Sequence, residues 1–240
     1  MGIRRYAFKK VLHNRANHEK TLTQQCSRRR SRKNYKLAAR FVKGKHVLDI
    51  GAGHGYGYEH VLAAGPKSVT CIDKSAESLK GFLYDDNRIS FIVSDFMEND
   101  FKANSFDTVL CLAVLLYSKR EKAFLKEIKR ILKPGGTLVI SQLDKNYLKE
   151  VYGYLPEDLH PGWGKVQTTD EFAKMIYDTF KVKPQVYIQT PLHLKPAPRR
   201  ILSKLTLQFR LAFGRQELHP KKRNVVGFYN YCIVRTPAKA

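Results

Sequence analysis

Residues 46–57 read HVLDIGAGHGYG. A short apolar run carries Asp49 into Ile50, and from there glycine stands at 51, 53, 55 and 57. Val, Leu and Ile favour a pleated, buried strand, and glycines directly behind it let the chain turn with positive φ. A strand that empties into a glycine loop marks the crevice at the carboxyl end of a parallel sheet, where ligands bind. A dinucleotide turn carries G-x-G-x-x-G, with the pyrophosphate resting on a helix N-terminus. Here the third glycine arrives one residue early, and an acid stands two residues before the first. An acidic crevice is poor for pyrophosphate and suits a ligand with positive charge.

Outward from this stretch, strand and helix signals alternate. Helices are expected at 58–65, at 75–86 behind Ser75, and at 119–136, where Phe124, Leu125, Ile128, Ile131 and Leu132 share one side. A further helix at 168–180 opens with a capping box of Thr168 and Glu171. Strands are expected at 68–73, 89–95, from 106 onward, 137–142, 182–190 and 227–236. This alternation predicts an α/β chain, doubly wound around a mostly parallel sheet. No internal repeat is present.

Two further acids then fall into place. Asp73 ends the second strand and Asp95 the third. S-adenosylmethionine carries an ammonium and a sulfonium, so it suits the acidic crevice. Asp73 is positioned to accept its ribose hydroxyls, by the logic that selects NAD in dinucleotide folds. Asp95 is positioned to accept from the adenine amino group, with Phe96 and the stem of Lys74 covering the ring. Each acid alone reads better as a strand-end turn or helix-cap residue. The three together behind one glycine loop point to a cofactor site.

Over residues 33–142 the chain resembles the class I S-adenosylmethionine-dependent methyltransferases of the broad small-molecule type. The residues that carry the resemblance are VLDIGAGHGYG, VTCIDKS, ISFIVSDFMENDFKANSFDTVLC and FLKEIKRILKPGGTLVIS. It implies a Rossmann-like seven-stranded sheet whose last strand is antiparallel, with 182–190 and 227–236 as strands six and seven. It also implies a cofactor set of Tyr35, Asp49, Gly51, Gly53, Gly55, Asp73, Lys74, Asp95, Phe96 and Leu112, with a helix over Lys33 to Val42 lidding the cofactor. One departure matters. Relatives often place a His or Glu after the fourth strand, whereas this chain reads VLLYS, putting Leu116 and Tyr117 there. The motifs of amino-group nucleobase methylation and of cytosine C5 methylation are missing as well. An oxygen acceptor needs a base and an amine only needs to be neutral. The candidate bases are Tyr117, Asp144, His160 and His193, and solvated loop residue is the competing reading of each. The segment LPEDLHPGWGK, 155–165, with Trp163, is expected to shape a loop over the pocket.

Charge is distributed unevenly. Of 44 Lys and Arg against 21 Asp and Glu, residues 1–45 hold 15 against the single acid Glu19, and residues 190–240 hold 11 against the single acid Glu217. The middle is close to neutral. We divide the chain into a basic arm, 1–32, and a methyltransferase domain, 33–240, with a basic amphipathic insertion at 190–226. The flanks imply an anionic partner, either RNA or a membrane surface, although a purely solubilising role also accounts for them. Within the insertion, Ile201, Leu202, Leu205, Phe209 and Ala212 share a helical face flanked by basic residues, the pattern of a helix lying on an anionic bilayer. No run is long and apolar enough to span a membrane, and no secretory leader is visible. Cys26, Cys71, Cys111 and Cys232 form no metal or redox spacing, so no metal is expected and reduced thiols are. The expected protein is cytoplasmic, or peripheral at a membrane. It transfers methyl groups in line to a small-molecule, saccharide or lipid-linked acceptor. The alternatives are an RNA methyltransferase that holds phosphates with its flanks, and a basic binding module without catalysis.

Overall fold

The computed structural model describes residues 22–152, 155, 158, 163–191, 216–220 and 229–238. Eight strands form one sheet: β1 His46–Ile50, β2 Ser68–Asp73, β3 Ile89–Val93, β4 Phe106–Leu112, β5 Leu132–Leu143, β6 Gln185–Pro191, β7 Gln216–Pro220 and β8 Tyr229–Arg235. Their spatial order is β3-β2-β1-β4-β5-β8-β6-β7. The pairs β1–β2, β1–β4, β2–β3 and β4–β5 are parallel, and β8 runs antiparallel to both β5 and β6. Six parallel strands with an antiparallel last strand are the expected architecture. The eighth strand is an addition: β7 pairs antiparallel with β6 at the edge and lies inside the basic insertion. The helical face expected at 201–212 lies outside the described residues, as do residues 1–21 of the basic arm.

The helices are α1 Leu22–Ala38, α2 Tyr58–Ala63, α3 Ala76–Lys80, α4 Glu121–Ile131, α5 Lys145–Tyr152 and α6 Thr169–Phe180. Two differ from expectation in extent. The helix expected over 119–136 stops at Ile131, and Leu132–Gly136 opens β5 instead. Pro134 has no N–H to continue a helix and pushes Lys133 toward extended geometry. The freed backbone then pairs beyond β8, with Gly135 N donating to Pro237 O and Thr236 N to Gly136 O. The helix expected over 75–86 runs only to Lys80, because Gly81 closes it. Helix α5 was not expected. The capping box is present as read: Glu171 N donates to Thr168 Oγ1 and Thr168 N to Glu171 Oε2.

Strand alternation sends neighbouring residues to opposite faces of the sheet. Leu48, Ile50, Val109, Cys111, Leu138, Ile140, Cys232 and Val234 pack under Phe124, Leu125 and Ile128 of α4 and Phe172 and Ile176 of α6. Val47, Val69, Cys71, Leu110, Val139 and Ile233 pack on the other face, under Tyr35 and Ala38 of α1, Tyr58 and Val61 of α2, and Leu79 of α3. Asp49 shares parity with Val47. It therefore points to the face of α1 and α2, which decides the chemistry of the crevice. A third cluster, with Leu116, Leu143, Tyr147, Leu148, Leu155 and Val166, roofs the carboxyl ends of β4 and β5. Because α3 is short, Phe91 and Val93 on β3 and Leu83 beyond α3 remain exposed at the sheet edge.

Candidate active site at the carboxyl ends of the strands

The glycine loop leaves β1 with positive φ at Gly51, Gly53, Gly55 and Gly57. Two of these positions explain the spacing. A Cβ on Gly55 would meet the Phe82 ring at 2.5 Å, so that glycine admits a packed neighbour. A Cβ on Gly53 would meet nothing within 4 Å, so the space beside this glycine is open. The loop is tied to the second strand by Gly53 N, which donates to Asp73 Oδ2 at 2.9 Å.

Asp49 is fully buried, and the phenols of Tyr35 and Tyr58 donate to its Oδ2 at 2.8 and 2.9 Å. Its Oδ1 is buried with no hydrogen-bond partner among the protein atoms. Burial pushes the Asp49 carboxyl up to about 7; the two phenols pull it down and the nearby Asp73 adds to the rise. Burial also drives both phenols up, so they stay protonated donors. The two rings meet edge to face, 5.0 Å apart. A buried carboxylate oxygen without a donor is costly and marks a place where a cationic or donor group fits. Tyr58 was read only as the start of a helix. A hydroxyl at the first helical position behind four alternating glycines was the available signal.

Asp73 Oδ1 accepts from Ser75 N and its Oδ2 from Gly53 N, both at 2.9 Å, which leaves each oxygen a second lone pair. Asp95 is exposed, and its carboxylate accepts from Met97 N at the start of the 3₁₀ turn Phe96–Glu98. Lys74 is exposed beside Asp73. Leu112 is half-buried at the end of β4, and Gly51 is fitted against Val114 just beyond it. The expectation for Phe96 is corrected. Its ring is buried in the core, 4.7 Å from the Phe124 ring, because the 3₁₀ turn directs it beneath the sheet end. It does not cover an adenine ring.

Of the candidate bases, Tyr117 stands at the crevice roof, edge to face with Trp163 at 4.9 Å. Gly164 N donates to Leu116 O, and a Cβ at Gly164 would collide with the Ser118 carbonyl. The 163–165 segment thus seats directly on the turn after β4. Asp144 is buried and committed to scaffold. Its Oδ1 accepts from Tyr147 N at 3.0 Å, and its Oδ2 from Thr169 N and Thr169 Oγ1 at 3.0 and 2.9 Å. It joins the start of α5 to the start of α6 as a buried clamp between the two helices. His160 and His193 lie outside the described residues.

Helix α1 packs against the glycine loop. A Cβ on Gly57 would strike the Arg32 Cα at 2.6 Å, so helix backbone and loop backbone are in contact. Arg32 pairs with Glu59 at 2.6 Å. At the far end, Tyr231 Oη of β8 lies 2.5 Å from Asn34 Oδ1 and 2.6 Å from Gln189 Oε1. One hydroxyl proton cannot serve both, so one of these amides turns its NH₂ to the phenol.

Residues 48–140 match the methyltransferase domain family. A tRNA U34 carboxymethyltransferase of Nautilia profundicola is 33% identical over 108 residues, which are 42% of this chain and 35% of that protein. A ubiquinone biosynthesis O-methyltransferase of Bradyrhizobium is 30% identical over 154 residues, 57% of this chain and 58% of that protein. The chain thus spans between about a third and three-fifths of these relatives. Among solved structures, the chain bound to the Trm112 methyltransferase activator of Haloferax volcanii superposes with a TM-score of 0.65. It is 19% identical, with 91% of this chain and 95% of that one covered.

Proposed function

We propose, from the premise that this chain carries a class I S-adenosylmethionine-dependent methyltransferase domain, that it transfers a methyl group in line to an acceptor held above β1 and β4. The observation that carries this reading is the pairing of two features: the open side of Gly53, and the partnerless Oδ1 of a buried Asp49. Backbone can approach a ligand at the first, and a cationic group is called for at the second. S-adenosylmethionine fits them: Asp49 would hold its ammonium, the second lone pairs of Asp73 its ribose hydroxyls, and Asp95 its adenine amino group. When bound, it supplies a methyl carbon made electrophilic by the sulfonium.

The chain's own residues do the rest. Tyr35 and Tyr58 fix the Asp49 carboxylate and keep water from it. Helix α1 lids the crevice through Gly57. Tyr117 and Trp163 form the wall nearest the acceptor, where the Tyr117 hydroxyl is placed to take or hold the acceptor's proton. Excluding water and aligning the acceptor supply most of the rate in such displacements, and effective molarity is worth roughly 7–11 kcal/mol when alignment is good.

Two acceptor classes divide the support. A small-molecule, saccharide or lipid-linked acceptor is favoured by the ubiquinone-pathway relative. RNA is favoured by the tRNA-modifying relative and by the cationic surface of α1. Methyl transfer from labelled cofactor into a fractionated lysate separates them. Label in RNA selects the second class and label in lipid or small molecules the first. No label in any pool, with cofactor binding intact, leaves a binding module. Absence of cofactor binding by calorimetry overturns the proposal.

A further inference from the structure

Helix α1 carries Arg28, Arg29, Arg30, Arg32, Lys33 and Lys36, and no acid anywhere along its length. At 3.6 residues per turn, positions 28, 29, 32, 33 and 36 fall on one arc, while 34, 35, 37 and 38 fall on the opposite one. The burial follows this division. Asn34, Tyr35, Leu37 and Ala38 are buried, and Arg28, Arg29, Arg32 and Lys36 are exposed. Arg28, Arg32 and Lys36 therefore form a ladder one turn apart, about 6 Å per step, with Arg29 and Lys33 beside it. Like charges four residues apart destabilise a helix. Burial pushes the Lys33 ammonium down, and the neighbouring Arg29 charge adds to it. The helix keeps this crowding because its buried face, not its charges, holds it in place.

Aromatic groups stand beside the ladder. The Arg28 guanidinium lies 4.7 Å over the Tyr56 ring, and the His54 ring stacks on Tyr56 at 5.6 Å with an 11° interplanar angle. Tyr56 and His54 belong to the glycine loop, so cations and stacked rings meet at the rim of the crevice. Few aromatics accompany the charge run RRRSRK in sequence, and Tyr35 just after it is buried; the fold brings Tyr56 and His54 to it from more than twenty positions away.

We propose that Arg28, Lys33 and Lys36, flanking an Arg32 already paired with Glu59, form with the Arg28–Tyr56–His54 stack a track for single-stranded RNA that leads an acceptor nucleotide to the crevice. Phosphates lie along the ladder, and a base stacks at the guanidinium–aromatic end, the pairing that single-strand binders use. The inference rests on the methyltransferase reading for its destination but not for the binding itself.

The test is fluorescence anisotropy of an oligo-uridine probe with the full chain across a salt series, in the wild type, in Arg28→Glu/Lys33→Glu/Lys36→Glu and in Tyr56→Ala. Calorimetric cofactor titration of each is run alongside. Each phosphate contact on a single strand contributes about 0.7 to the log–log salt slope, so the triple variant should lose a slope of about 2 and more than tenfold in affinity. Tyr56→Ala should weaken RNA binding several-fold at unchanged slope, and the cofactor titrations separate any loss at the crevice from loss along the helix. RNA affinity and slope unchanged in the triple variant overturn the track. So does loss of binding to phosphatidylglycerol vesicles in a chain that does not bind the probe, which makes α1 a membrane face. Wild-type RNA binding with no cofactor binding keeps the track and removes the methyltransferase reading instead.

Discussion

Asp49→Asn isolates the cost of the crevice carboxylate. The folded chain holds the Asp49 proton up to about pH 7, because burial penalises the charged form, whereas an unfolded carboxyl releases it near the ordinary 3.8. Between those values the folded state binds more protons than the unfolded one, so this residue makes stability fall as pH rises. Once both states are ionised, the difference corresponds to about 4 kcal/mol. Asn keeps an oxygen for the Tyr35 and Tyr58 phenols and cannot ionise. The gap between the cofactor-free variant and the wild type should therefore be smallest below pH 3.8 and widen in the variant's favour by about 4 kcal/mol toward pH 7.5. The measurement is urea unfolding at half-unit pH steps, comparing midpoints and slopes. Cofactor binding should reverse the balance in the wild type, since a cation beside Oδ1 favours the carboxylate. Calorimetry near pH 6 in buffers of different ionisation enthalpy should show close to one proton released by the wild type and none by Asp49→Asn. Parallel stability curves for the two proteins, or proton release unaffected by the substitution, would refute the reasoning.

Other expectations concern the loop and the roof. Gly53→Arg and Asp73→Ala should each abolish cofactor binding by calorimetry while far-UV circular dichroism stays native, since Gly53 faces open space. Gly55→Ala should instead cost about 3 kcal/mol of stability, from positive-φ strain plus contact with the Phe82 ring, read as a lower urea midpoint. Gly57→Ala should push α1 off the loop, seen as faster trypsin cleavage within 28–36 with the rest of the domain intact. Asp144→Asn should lower stability without changing the pH profile of methyl transfer, whereas Tyr117→Phe should change the profile without lowering stability.

The sheet was legible because buried parallel strands are continuous apolar runs, and HVLDI, SVTCID and TLVIS are such runs. Asp49, Gly53 and Asp73 were legible because strand ends and glycines fix where a crevice opens. What escaped reading depended on packing between distant elements. The Tyr58 hydroxyl reaches Asp49 only because β1 parity turns that carboxylate toward α2. Phe96 follows an acid in sequence, yet the 3₁₀ turn folds its ring into the core. Asp144 looked like a loop acid, and its partner Thr169 stands 25 residues away. Strand β7 was read as part of a basic amphipathic insertion, because a short edge strand of mixed composition has no periodicity strong enough to announce itself.

The tie between Tyr231 and Asn34 has a temporal side. These residues are separated by 197 positions, so at 5–20 residues per second a ribosome takes roughly 10–40 s to deliver the second after the first. Early in that interval β1, the glycine loop and β2 are made, while β8, which wedges between β5 and β6 and ties to α1, comes at its end. The crevice is among the first parts of the chain to be synthesised and among the last to be closed.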